Sequence, residues 1–240
     1  MGQYYFVWNG MDCRANGVML SGPVPIIRPE ERVRHVEIPG ESGDLTQLES
    51  DENDPIYNSY IQTVNFNVRG WFHVREINKW LRGSGFITFH GEPDRRQAAR
   101  VIGAITMSKY SRHSEWWTGS AQIYCQPLKE LLQEPEVTIT TSGSTLINAG
   151  DVPAKPKIIA TASSTSMTIT VGDQTLTLTG ITSGDDYIID SRICEVLNDD
   201  ASEVLTADSS GPFPKLMPGS NTITGTGWSK LVIDRRQRFI

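Results

Sequence analysis

The sequence has no long hydrophobic run and few cysteines, and both absences narrow the class of protein. Nowhere in the 240 residues do about 18 apolar residues follow one another, so no membrane-spanning helix is predicted. The first residues lack a basic stretch followed by an apolar segment, and we expect no secretory signal peptide. Cys13, Cys125 and Cys194 are odd in number and form no CxxC pair, which argues against a disulfide framework or a zinc knuckle and is typical of folding in a reducing cytoplasm.

A basic surface is also lacking. The formal net charge is −6; residues 1–130 hold 14 basic against 15 acidic residues, and residues 131–240 hold 8 against 13. A nucleic-acid-binding protein needs a basic footprint to displace counterions from phosphates. The balance of charge therefore argues against stable binding of DNA or RNA.

Catalytic and metal-binding motifs are absent as well. Gly40-Glu41-Ser42-Gly43 is not a GxSxG motif, and Gly83-Ser84-Gly85 follows a predicted helix instead of a strand. Four histidines are dispersed without the spacing of metal ligands: His35, His73, His90 and His113. We therefore expect no catalytic residue, no cofactor and no metal ion, and we predict that the protein is not an enzyme.

Charged clusters have simple explanations. Five aspartates could offer oxygen ligands to calcium but lack the EF-hand register, and we interpret them as acidic turns: Asp185, Asp186, Asp190, Asp199 and Asp200. Glu92 and Asp94 have no second carboxylate pair with which to form a glycosidase site. Arg95, Arg96 and Arg100 are interpreted as a solvated loop and not as a phosphate site.

An apolar period of two dominates the sequence and predicts a mainly β protein. In residues 61–68, Val64, Phe66 and Val68 alternate with Asn65 and Asn67, as in a strand with one buried and one polar face. Helical spacing is convincing only in residues 74–82, which Gly83 ends. Further strands are predicted at 4–8, 33–38, 86–89, 101–105, 121–125, 157–160, 167–171, 175–178, 187–190, 194–197 and 221–224.

The composition predicts two domains. Residues 1–130 form the first domain. Residues 131–156 are rich in proline, acidic residues and Ser/Thr/Gly, and we interpret them as a linker and the first strand of the next domain. Residues 157–240 form the second, whose short Thr/Ile/Val strands and closely spaced turns are typical of an antiparallel β-sandwich.

Four stretches carry a resemblance to a known family. An aromatic strand and an Asn-Gly turn are found in Phe6-Val7-Trp8-Asn9-Gly10-Met11-Asp12-Cys13. A second stretch is Ile38-Pro39-Gly40-Glu41-Ser42-Gly43, in which Glu41 stands where the family usually has arginine. The first domain ends with Ile123-Tyr124-Cys125-Gln126-Pro127. The second holds Asn148-Ala149-Gly150, Ala154-Lys155-Pro156-Lys157-Ile158 and Phe213-Pro214-Lys215-Leu216-Met217-Pro218-Gly219-Ser220-Asn221-Thr222-Ile223. In order and spacing, the chain resembles the distal tail proteins of siphophages over nearly its full length.

The resemblance implies a tail-tube-like N-terminal domain, a β-sandwich or open barrel with one α-helix, and a galectin-like C-terminal β-sandwich. It also implies a structural role in the virion: a homo-hexameric ring at the tip of a phage or prophage tail, assembled in the host cytoplasm. The implied partners are the tail tube protein, the tail-associated tip protein and a receptor-binding protein, with DNA only in transit and no membrane insertion.

An aromatic pair and the galectin-like domain leave a carbohydrate-binding module as the alternative function. Trp116 and Trp117 are adjacent on a predicted strand, so we expect one ring in the core and the other exposed or covered by a partner. Galectins carry a His-Asn-Pro-Arg stretch and a Trp-Gly pair. Here no histidine follows His113, and Trp228 comes after Gly227 instead of before a glycine, which disfavours sugar binding by the second domain.

Overall fold

The computed structural model describes residues 4–40, 42–48, 54–198 and 208–240, which form two compact units. The first is built from Met1–Leu132 together with Ile240, and the second from Gln133–Phe239. The prediction of a mainly β protein is confirmed, because strands dominate both units and the described residues contain a single α-helix. Among those residues, no helix is long and apolar enough to span a membrane.

The first unit is one curled sheet with a helix and a separate hairpin. Its elements, in chain order, are β1 (Phe6–Trp8), β2 (Met11–Asp12), a 3-10 turn (Cys13–Asn16), β3 (Val18–Leu20), β4 (Val33–Glu37), β5 (Asp44–Leu48), β6 (Tyr60–Arg69), α1 (Trp71–Trp80), β7 (Ser84–Phe89), β8 (Arg95–Lys109) and β9 (Trp116–Leu131). The main sheet has the order β2-β1-β7-β8-β9-β6-β3 with antiparallel pairing, and β4 and β5 form a two-stranded sheet of their own.

Strand alternation places the core of this unit on one face of the main sheet. Val64, Phe66 and Val68 of β6 are buried there, as the alternating pattern predicts. Helix α1 covers the same face with Val74 and Ile77, and the helix packs in one cluster with residues of β1, β7 and β9. On the opposite face of the sheet, the alternate side chains of β6 and β9 are mostly exposed, so this face is uncovered.

Helix α1 begins three residues before the predicted start at residue 74, directly after β6. Gly70 is its N-cap and has φ +82° and ψ 144°, a conformation that only glycine adopts without strain. The Gly70 N–H donates to the carbonyl oxygen of Glu115 at 2.8 Å. This turn therefore joins the start of the helix to the hairpin between β8 and β9.

The second unit is a sandwich of two five-stranded sheets. One has the order β10-β19-β12-β15-β16 and the other β11-β18-β13-β14-β17, and residues of both build one apolar core. The strands are β10 (Val137–Ile139), β11 (Ser144–Asn148), β12 (Lys157–Ala162), β13 (Ser166–Val171), β14 (Gln174–Thr179), β15 (Asp186–Asp190), β16 (Glu195–Asn198), β17 (Ser209–Ser210), β18 (Gly219–Thr226) and β19 (Trp228–Asp234), followed by β20 (Arg238–Phe239).

The region predicted as a linker with one strand is more ordered than expected. Residues 131–156 contain two strands, β10 and β11, besides the end of β9. Strand β10 pairs with β19, and β11 pairs with β18. The partner of β10 lies 92–96 residues further along the chain and that of β11 lies 71–79 residues further, so the local Pro/Ser/Gly composition gives no sign of the pairing.

Replacement of Gly70 tests the turn into α1. We expect Gly70→Ala to lower the free energy of unfolding by about 2 kcal/mol, because a Cβ disfavours the backbone conformation that the turn requires. Chemical denaturation of both proteins measures the difference. Gly22→Ala is the matched control, since Gly22 has no positive φ and no atom lies within 4 Å of the position that an added Cβ would occupy. Equal losses in the two variants would show that the turn imposes no such constraint.

Candidate assembly surfaces

The middle of the uncovered face of the first sheet is mostly polar and carries no charged side chain. Paired residues of β6, β9 and β8 form three rows across it: Thr63-Gln122-Ile102, Asn65-Ser120-Thr106 and Asn67-Thr118-Ser108. Charged side chains occupy outward positions on either side of these rows: Arg100 lies before the first row and Arg69 lies after the last. Apart from Ile102, these rows present hydroxyl and amide groups, which form no ion pairs with phosphates.

The two-stranded sheet of β4 and β5 exposes apolar side chains. Val36, Ile38 and Leu45 are each exposed, and the hairpin pairs with no other sheet among the described residues. An isolated two-stranded hairpin is marginally stable in water. Its apolar surface is therefore suited to being covered by another protein chain. Glu41, which replaces the arginine of the family pattern, lies outside the described residues.

The tryptophan pair divides between core and surface, as strand alternation predicts. Trp117 packs against the core of the first unit, and its ring centroid lies 5.3 Å from that of Trp71. Trp116 is exposed and lines a cavity of about 320 Å³ together with Met19, Asn67 and Tyr110. The exposed ring is thus available to a ligand or a partner.

The arginine cluster is not the solvated loop that the sequence suggests. It lies on β8, where Arg95 forms an ion pair with Glu92 at 3.0 Å, and the Arg96 guanidinium lies 4.5 Å from the centroid of the Phe86 ring. Glu92 also pairs with Lys129 at 2.6 Å. Because carboxylates already neutralise part of its charge, the cluster is a poor phosphate site. Glu92 is paired with Arg95 and Lys129 and does not form a catalytic pair with Asp94.

Two of the aspartates considered as calcium ligands, Asp186 and Asp190, form side-chain hydrogen bonds within the second unit. Asp190 accepts two hydrogen bonds from Arg236, at 2.8 and 3.0 Å, and Asp186 accepts one from the Thr161 hydroxyl. Although burial raises the pKa of Asp190, the hydrogen bonds and charge of Arg236 hold it below its usual value. Asp199 and Asp200 lie outside the described residues. In the described part of the chain, no three His, Cys, Asp or Glu residues are arranged to hold a metal ion.

Two features of the sandwich bear on sugar binding. Trp228 is buried in the core, so its ring offers no stacking platform. The five strands β11, β13, β14, β17 and β18 contain no charged residue, and their outward face is an array of threonines: Thr168, Thr170, Thr175, Thr177, Thr179, Thr222, Thr224 and Thr226. Neither an exposed aromatic ring nor the convergent polar groups of a galectin site are found on these strands.

Two of the three cysteines are buried in the first unit. Burial raises the pKa of the Cys13 thiol from its ordinary 9.0 to about 11 and that of Cys125 to about 12. Cys194 is exposed. The buried thiols therefore stay protonated near neutral pH and are poor nucleophiles.

Tryptophan substitution tests the division of the pair. We expect Trp117→Ala to lower the free energy of unfolding by about 3 kcal/mol, because it leaves a cavity against the core. Trp116→Ala should lower it by clearly less, about 1 kcal/mol, because 36% of this residue is exposed and its ring lies on the outward face. Denaturant unfolding of the two variants makes the comparison, and similar losses would mean that both rings are structural.

Thiol chemistry tests the burial of the cysteines. At pH 8 we expect a thiol reagent to modify Cys194 rapidly and the other two cysteines only after unfolding. The raised pKa values of Cys13 and Cys125 favour the neutral thiols in the folded chain. The resulting contribution to the free energy of unfolding is therefore present below pH 9.0 and is lost as the pH rises toward 11 and 12. Rapid modification of two or three thiols in the native protein would contradict this arrangement.

Comparison with known proteins places the fold. No family model matches the sequence, and no curated protein matches it significantly. Among solved structures, the chain is similar to the Dit protein (gp 19.1) of phage SPP1, described as a paradigm of the hub adsorption apparatus in phages that infect Gram-positive bacteria. The similarity has a TM-score of 0.78 and covers 99% of both chains, at 17% sequence identity. The fold predicted from the resemblance is therefore confirmed: this chain has a Dit-like fold from end to end.

Proposed function

We propose that the chain is a structural hub protein of a long non-contractile phage or prophage tail, and not an enzyme. Six copies would form a ring that connects the tail tube to the tip and lets DNA pass. The observation that carries the proposal is the likeness to a hub protein across 99% of both chains. The proposed location is the tail tip of the virion, after assembly in the host cytoplasm.

The first unit has the surfaces that such a ring requires. The uncharged rows on its sheet face support a place around the lumen, because a wall with few cations lets DNA move without adhering. The exposed apolar hairpin of β4 and β5 supports contact with a neighbouring copy. Residues 1–130 are nearly neutral, so several copies can pack closely with little repulsion.

The second unit is better suited to the periphery. Its excess of acidic residues would repel other copies if six were crowded around an axis, whereas salt screens charges over about 8 Å when they are further apart. The proposed partners are the tail tube protein, the tail-associated tip protein and a receptor-binding protein. DNA would be in transit only, and no membrane insertion is proposed.

Ring formation should require the first unit alone. We expect residues 1–132, which keep β9 intact, to assemble as the full chain does, with a mass of six copies by light scattering, alone or mixed with the tail partners. The full chain, of 26.7 kDa, serves as the reference. If the shortened chain stays monomeric under both conditions while the full chain forms hexamers, the second unit is responsible for assembly.

The alternative is a carbohydrate-binding module that contributes to adsorption on the host surface. The buried Trp228 and the threonine face support it poorly, and we expect the second unit to show no affinity for glycans. A glycan array with the full chain and a variant lacking the second unit tests this. Micromolar binding that depends on the second unit would favour the module over a purely structural role.

A further inference from the structure

Exposed aromatic side chains concentrate at one end of the first sheet. Trp71 and Phe72 at the start of α1 are 60% and 69% exposed, and Tyr110 and Trp116, which flank the turn between β8 and β9, are 78% and 36% exposed. We call these four residues, together with the exposed Met19, the aromatic rim. Large aromatic side chains in water are uncommon on a protein surface that has no partner.

Backbone hydrogen bonds hold the two segments of the rim at the same end of the sheet. Arg69 pairs with Trp116 in the β6–β9 register, and the Tyr110 N–H donates to the Trp116 carbonyl oxygen at 3.0 Å. The Gly70 N–H bonds to Glu115, and Trp71 lies against Trp117. An open surface cavity of about 320 Å³ is lined by Met19, Asn67, Tyr110 and Trp116. A partner could therefore insert an apolar side chain between them.

The charge around the rim is positive, although the chain as a whole is acidic. Residues 69–75 and 109–116 contain four cations and one carboxylate: Arg69, Arg75, Lys109, Arg112 and Glu115. The carboxylate is already paired with Arg69 at 3.0 Å. Tryptophan, tyrosine and arginine are the residues that contribute most binding energy in protein interfaces. The complement of such a surface is an apolar patch surrounded by carboxylates.

Two other ligand classes fit less well. A saccharide needs convergent polar groups beside the aromatic ring. Among the described residues that line the cavity, Asn67 is the one amide, and its Nδ2 already donates to the Ser21 hydroxyl at 3.2 Å. DNA needs more cations than the rim carries, and the net charge of −6 repels phosphates at long range.

We propose that the aromatic rim is the surface through which the hub binds the adjoining tail protein, and that this partner presents apolar side chains ringed by carboxylates. The inference rests on the proposed function and names the part of the chain that makes the contact. The aromatic side chains insert into the partner, and the surrounding cations pair with its acidic groups.

The test measures binding of the full chain to the purified tube protein and tip protein encoded in the same genome. We expect one of them to bind, and Phe72→Ser combined with Tyr110→Ser to weaken that binding by about tenfold or more. Both side chains are largely exposed, so circular dichroism should show an unchanged fold. Ile147→Ser in the second unit, where the side chain is 60% exposed, is the matched control and should bind as the unaltered chain does.

The charge is tested separately. Arg112→Glu should weaken the same binding and reduce its dependence on NaCl between about 0.05 and 0.5 M. Equal binding by the rim variants and the unaltered chain would overturn the inference and leave the hub function standing. Failure of the unaltered chain to bind either tail protein would remove the proposed function and the inference with it. Loss of saccharide or DNA binding in the rim variants, with tail-protein binding unchanged, would assign the rim to another ligand.

Discussion

Strand β6 pairs with β9 along ten residues, from Tyr60 opposite Cys125 to Arg69 opposite Trp116. Because side chains alternate between the two faces of a sheet, this register decides which residues lie beneath α1 and which are left uncovered. A slip by one residue would turn the apolar set of β9 outward and bring its hydroxyls and amides into the core. The register also places Trp117 inward and Trp116 outward. The core, the uncharged rows of the outer face and the aromatic rim therefore all depend on the register between β6 and β9.

The distribution of charge agrees with the division of labour that we propose. The rows that cross β6, β9 and β8 are without charge, and the cations of the first unit lie beyond them or are paired with carboxylates. The acidic excess lies in the second unit. Close packing of first units around an axis is therefore compatible with electrostatics, whereas close packing of second units is not.

Much of the fold could be predicted from local patterns. The alternation of Val64, Phe66 and Val68 predicts β6, and alternation also predicts the opposite orientations of Trp116 and Trp117. Strands β10 and β11 could not be predicted, because their partners are distant in sequence and their composition is that of a linker. Strands β8 and β9 are longer than predicted, since the outward positions carry Thr, Ser and Gln and irregular pairing interrupts the period of β8. The uncharged face and the aromatic rim could not be predicted, since both combine residues from several strands.

We propose that this chain assembles as a hub ring with an open lumen. Negative-stain electron microscopy of the purified full-length protein measures it most directly. The account predicts six-fold rings with a central channel and six peripheral densities, one for each second unit. The proposed ring would be contradicted if the particles remained monomeric or formed closed dimers, and if adding the tail partners induced no rings either.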